Sequence, residues 1–360
     1  MANWRTFTPP QVENAVDIPR RSGLTPHELM SLAFAGEGRP IVLTDAQRGW
    51  RARELWTPEY FAARYPEERL IASDLAPLRL EDNPPQTSLR CTMAEYAAYL
   101  DEPAHRLASL EQGAPFYANS WSPFNERPEL REHFSFPPSV PDSIADEREL
   151  DALSNNFTKI FFGPAATVTR LHNDTYYTHA WLSQIRGKKL FVLYAPSDAS
   201  AIHAGEGIAA GQGSQQTWFD PLAPDFERFP RARNATAHVA VCDAGDTIVV
   251  PALWFHYAVS LEHSITLMRN FCNDANADRF MRAWQAARAD TRAAAPKVPR
   301  APAAPRPPAE YAARRAAARA AAPELGATAT PEAKRRGASP RRAHLRLCRT
   351  ATAGHWRRRQ

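Results

Sequence analysis

Apolar and polar positions divide the chain into an N-terminal stretch of short helices and a longer run of strands. Thr25-Pro26-His27-Glu28 sets an N-cap and a first-turn proline before an amphipathic helix over residues 25–36. Trp56-Thr57-Pro58-Glu59 repeats that signature, and Thr92-Met93-Ala94-Glu95 has the spacing of a capping box. Between them Ile41-Val42-Leu43 predicts a short strand. From Phe116 onward the pattern is strand-like: residues 116–121, then 181–194 as two strands joined near Gly187, an apolar strand from Gly245 into a proline turn, and residues 265–271. Asp278-Arg279-Phe280-Met281-Arg282-Ala283-Trp284 opens a last helix, a packing or homodimer element. The fold class expected is mainly β with flanking helices (α+β), the helices bracing one face of a barrel.

Composition changes this picture mainly at the C-terminus. The 44% apolar and 10% aromatic content supports a globular core. Net charge is +5 for the whole chain, but residues 291–360 carry +14 and residues 1–290 carry −9. The tail is Ala, Arg and Pro in low-complexity succession, with too few large apolar side chains to offset its ordering entropy. We therefore divide the chain into an extension (1–17), a domain (18–290, barrel core about 115–275) and a basic tail (291–360). No apolar run has the length of a signal-peptide core or a membrane span, and Cys91, Cys242, Cys272 and Cys348 are scattered, so a cytoplasmic, reduced protein is expected.

The chemistry lies in Thr169-Arg170-Leu171-His172-Asn173-Asp174, which holds the one His-x-Asp of the chain. Alternate residues of a strand share a face, so His172 and Asp174 aim at one point while Asn173 turns away. His256 follows an apolar strand and a Pro-containing turn, 82 residues beyond Asp174, far enough for several intervening strands. Two histidines and one carboxylate form the facial set that binds iron(II) and leaves other positions open. The reading is a non-haem iron oxygenase.

Resemblance adds to that reading. Phe161-Phe162-Gly163-Pro164-Ala165-Ala166 with Thr169 and His172-Asn173-Asp174, then Gln184-Ile185-Arg186-Gly187-Lys188-Lys189-Leu190-Phe191, residues 245–256 and residues 265–271 resemble the jumonji-C and cupin-like family of iron(II)/2-oxoglutarate oxygenases. The similarity spans roughly residues 18–285 and includes Arg39-Pro40-Ile41-Val42-Leu43-Thr44, Trp56-Thr57-Pro58-Glu59-Tyr60-Phe61 and Thr92-Met93-Ala94-Glu95-Tyr96. It implies a double-stranded β-helix (jelly-roll) barrel. It also implies Fe(II), 2-oxoglutarate and O2 as cofactor and cosubstrates, and hydroxylation, or demethylation by way of hydroxylation, of a protein side chain or small molecule.

Further site residues follow from alternation and from the resemblance together. Lys189 shares a strand face with Phe191 and Leu193, so it can point inward while Lys188 meets solvent. An inward lysine is costly without an anion, and the resemblance supplies one in the distal carboxylate of 2-oxoglutarate. A surface position for Lys189 is the competing reading. The resemblance also assigns Thr169 and Tyr117 to that carboxylate and places Asn270 near the cosubstrate; for Tyr117 a satisfied core phenol is the alternative. Leu182 stands where several relatives carry a polar residue.

Residues 201–233 read as a lid or substrate loop, with the aromatics of Asp225-Phe226-Glu227-Arg228-Phe229-Pro230 lining an entrance. Their glycines lack the Gly-Lys-Ser/Thr finish of a nucleotide loop. Two other classes stay open: a non-catalytic cupin-like binding or sensor module, and a nucleic-acid-associated protein acting through its basic tail, which charge alone would draw to nucleic acid or an acidic partner.

Overall fold

The computed structural model describes residues 6–74, 88–101, 115–144, 157–206 and 213–294. The basic tail and Cys348 lie outside them. Fourteen strands occur in chain order among the described residues: β1 Ala15–Asp17, β2 Arg20–Arg21, β3 Ile41–Leu43, β4 Arg69–Asp74, β5 Ser88–Thr92, β6 Phe116–Trp121 and β7 Thr158–Gly163 come first. They continue with β8 Val168–His172, β9 His179–Arg186, β10 Lys189–Tyr194, β11 Ala237–Cys242, β12 Thr247–Val250, β13 Phe255–Ser260 and β14 Ser264–Phe271. The helices are α1 Pro26–Ala33, α2 Ala52–Leu55, α3 Pro58–Arg64, α4 Met93–Asp101 and α5 Ala277–Ala294. The protein is thus mixed α+β. No helix among the described residues is long and apolar enough to cross a membrane.

The caps read from sequence are in place. Thr25 and Glu28 form a complete capping box on α1, and the Thr57 hydroxyl accepts from the Tyr60 amide on α3. Thr92 and Glu95 exchange the equivalent bonds at the start of α4. Each such cap satisfies amides that the first helical turn leaves unpaired, a contribution of about 1 kcal/mol. The helices cover the outer face of β7: Phe162 packs its ring edge-on to Tyr96 of α4 and against Phe61 of α3.

The strands form two sheets. One has five strands in the order β1-β11-β10-β13-β8, the other nine in the order β2-β3-β12-β9-β14-β7-β6-β4-β5. The expected barrel is met as two sheets, and no ladder among the described residues closes one onto the other. Inward residues of both meet in one buried cluster: Phe161, Ala180, Leu182, Ile248, Val250 and Met268 from the larger sheet, Phe191, Leu193, Cys242 and Ala258 from the smaller. The chain passes between sheets at Gly187, whose φ of 68° suits a residue without a side chain. There a Cβ would meet the His263 carbonyl oxygen.

Strand β10 is apolar on both faces, so its outer face needs cover too. Leu190, Val192 and Tyr194 pack there with Tyr257, Phe219 and Phe229. Phe226 and Phe229 therefore help Phe219 roof the smaller sheet, a correction to the expectation that the aromatics of residues 225–230 line an entrance. Phe219 and Phe229 are 4% and 8% exposed, which is core burial. Cys91, Cys242 and Cys272 are free, buried thiols.

Candidate metal centre

Strand β8 delivers His172 at its end, and the chain stays extended through Asp174, whose φ and ψ are −73° and 153°. Alternation thus survives past the strand. Asn173 turns the other way and is 1% exposed. Its side-chain Oδ1 accepts from the Gln215 amide at 2.6 Å, and its own amide donates to the Gln215 carbonyl at 3.0 Å. His172 and Gln216 form a further bridge, so residues 214–217 run as a short added strand beside the ligand-bearing segment. The sequence reading missed this clamp. Its one local signal is a buried-side asparagine between two residues that face the other way.

His256 comes from β13, where it pairs with Leu193 of β10 and with His172 of β8. The turn before it is held from the N-terminal region. The Trp254 indole N–H donates to the Glu37 carbonyl at 2.9 Å, and a Cβ on Gly38 would sit 2.6 Å from Pro251 Cβ. Gly38 itself has φ 75°.

The three side chains converge. Their ligand atoms lie within 4.8 Å of one another, with Asp174 Oδ1 at 3.8 Å from His172 Nε2 and 4.0 Å from His256 Nε2. His172 Nδ1 lies 2.7 Å from the Arg170 carbonyl oxygen, so Nδ1 carries the proton and Nε2 keeps its lone pair toward the other two groups. Burial, with His256 beside it, pushes His172 down to about 4, so the imidazole is neutral near pH 7, the form that binds metal. Three acceptors facing one another suit a cation, and this donor set suits iron(II).

A second polar cluster lies on the same inner face. Lys189 is 3% exposed, whereas Lys188 meets solvent and pairs with Asp243 at 3.3 Å. The Lys189 ammonium donates to the Tyr117 hydroxyl at 2.9 Å and lies 5.6 Å from the Phe161 ring centre. Tyr117 also shares a hydrogen bond with Thr169. Burial pushes Lys189 down to about 7. Among the described residues no carboxylate pairs with it, so the cluster offers a cation and hydroxyls to an anion. Leu182 is one of the apolar walls beside it. The Asn270 side-chain N–H donates to the Thr178 hydroxyl at 3.0 Å.

Comparison with known proteins agrees with this geometry. Residues 26–277 match the model of the cupin-like domain family. The chain is 25% identical over 232 residues to lysine-specific demethylase 8 of Xenopus tropicalis, covering 64% of this chain and 47% of that protein. It is 24% identical over 253 residues to the bifunctional arginine demethylase and lysyl-hydroxylase psr-1 of Caenorhabditis elegans, covering 66% and 56%. A shorter match, 32% over 87 residues, covers 24% of this chain and 25% of tRNA wybutosine-synthesizing protein 5 of Gallus gallus. The chain thus spans about half the length of the first two relatives. With the family model matched across most of the chain and the His-Asp-His set assembled at its centre, the protein belongs to the jumonji-C and cupin-like family of iron(II)/2-oxoglutarate oxygenases.

Proposed function

We propose that the protein is an iron(II)- and 2-oxoglutarate-dependent oxygenase that hydroxylates a protein side chain or a small molecule, or demethylates it by the same hydroxylation. The observation that carries this reading is the pairing of two clusters on one inner face, a three-acceptor trio and a buried, carboxylate-free lysine. Such a pair holds a ligand with a metal-chelating head and an anionic tail. In this reading His172, Asp174 and His256 hold Fe(II), Lys189 with Tyr117 and Thr169 binds the distal carboxylate of 2-oxoglutarate, and Asn270, bonded to Thr178, lies near the cosubstrate. The bound iron, with 2-oxoglutarate and O2, supplies oxidising power sufficient for an unactivated C–H bond, with release of succinate and CO2.

The chain's own share is positioning. The Arg170 carbonyl fixes the His172 tautomer, and the Asn173 clamp fixes the segment between two ligands. Phe161, Phe191, Leu182 and Met268 keep the inner face apolar, which strengthens every charge interaction made there. The finer architecture in this reading is a double-stranded β-helix whose two halves are the two sheets. The working domain is residues 18–290, and three free buried thiols fit a reducing, cytoplasmic setting.

The test is succinate release from 2-oxoglutarate by anaerobically iron-loaded protein exposed to O2. His172→Ala should lower both iron uptake and succinate release by more than about 100-fold, since a ligand matters more than the outer groups that support it. Failure of the wild type to take up iron or 2-oxoglutarate would move the protein to a binding or sensor module. Deletion of residues 291–360 should leave turnover intact, whereas a protein working through that tail would lose its function.

A further inference from the structure

Strand β7 carries a lysine that the foregoing reading does not use. Ile160 and Phe162 are buried on one side of the strand, with Phe162 under α3 and α4. Lys159 and Phe161 therefore take the other side, and Phe161 belongs to the inter-sheet cluster with Met268, the residue paired with Lys159 on β14. Lys159 thus projects between the sheets. Burial pushes the Lys159 ammonium below its ordinary range, the nearby Asp174 carboxylate opposes that shift, and Lys159 bears on His172 as well. Among the described residues it makes no hydrogen bond or ion pair.

Charge bookkeeping turns this placement into a specificity argument, which rests on the oxygenase reading. Iron(II), Asp174, a bound dicarboxylate and a charged Lys189 sum to zero. Asp174, as a ligand, is then already neutralised and cannot also offset Lys159. Lys159, half-buried and with its charge already disfavoured by burial, is then left between the sheets without a counter-charge from the chain, which an anion from outside would supply. We infer that Lys159 is a specificity residue that pairs with a single carboxylate on the substrate to be oxidised. A phosphate dianion would overshoot that single charge. Lys159 acts by placing the substrate and takes no part in the cosubstrate's mooring, which Lys189 provides.

The experiment is isothermal titration of the full chain, anaerobically loaded with Fe(II) and 2-oxoglutarate. The probes are acetate, butyrate, benzoate and phenylacetate with their primary amides, and blocked tripeptides carrying Asp or Glu with their Asn or Gln counterparts. At least one carboxylate should bind and its amide fail. Lys159→Gln should weaken that binding by about tenfold or more, the scale of one charge-assisted hydrogen bond, while Lys159→Arg restores part of it. The 2-oxoglutarate affinity should stay the same in both variants. Binding by free acids identifies a small-molecule source of the carboxylate, and binding by peptides an acidic side chain. The inference is overturned if no carboxylate outbinds its amide, if Lys159→Gln leaves binding unchanged, or if that variant loses 2-oxoglutarate instead. Wild type that takes up neither iron nor 2-oxoglutarate brings down the oxygenase reading itself, a result visible before any probe is added.

Discussion

The larger sheet has polar side chains buried on its outer face, and the space between the sheets has its own. The two groups behave differently. Outside, Ser183 and Thr247 bond each other at 2.7 Å, and Gln47 donates to the Asp246 and Gln184 carbonyls at 2.7 and 3.2 Å. Apart from Gln47 Oε1, these groups satisfy one another. Inside, acceptors converge on acceptors at the trio, and a lysine finds only a phenol. Complementary polar groups hold a fold together; like groups brought face to face are kept at a cost, and the cost marks where a partner from outside the chain belongs.

The sharpest way to break this contrast is Lys189→Met. It should weaken 2-oxoglutarate binding by about 10- to 100-fold, the loss of one charged hydrogen bond in a buried site. Protons give a second readout. Burial lowers Lys189 from 10.5 to about 7, so at pH 8 the free protein holds it mostly neutral, and a bound carboxylate restores the charge. Calorimetry in buffers of different ionisation enthalpy should therefore show proton uptake on 2-oxoglutarate binding at pH 8, absent in Lys189→Met. The same shift means the unfolded chain binds more protons between those two values, so this lysine makes the ligand-free protein more stable as pH rises through that window.

Asn173→Ala comes next. It leaves all three ligands in place but releases the clamp, and iron affinity measured against a chelator should fall about tenfold, within the range for groups that orient ligands. Smallest is Ser183→Ala on the outer face, expected to cost about 1 kcal/mol in urea unfolding with 2-oxoglutarate affinity unchanged. Adding Thr247→Val should recover part of that loss, because no hydroxyl then lacks its partner. If Ser183→Ala weakened 2-oxoglutarate binding as much as Lys189→Met, the distinction between the two faces would fail.

The metal trio was legible because alternation is local. His172, Asn173 and Asp174 keep an extended backbone beyond the end of β8, so the period of two carries over. The choice between Lys188 and Lys189 followed from the same period, anchored by Phe191 and Leu193. Lys159 obeyed it too, two residues before Phe161, but a lone lysine at a strand start reads as solvent-facing until the partner strands are known. What sequence could not show was which loop covers which face. Phe219 and Phe229 sit in a segment of loop composition, and their role as a roof depends on β10 being buried on both sides. The Thr178 partner of Asn270 was likewise hidden, because it lies at the head of the neighbouring strand β9, 92 residues away in the chain.

The grip of Glu37 and Gly38 on the turn before His256 bears on where the smallest working fragment begins. A piece cut at about residue 115 would keep β6 to β14, every proposed ligand and Lys189. It would also lack the strut that sets the height of the third ligand, more than two hundred positions away in the chain. The N-terminal segment is thus a foundation for the metal site, and the unit that holds the site has to be counted from before α1.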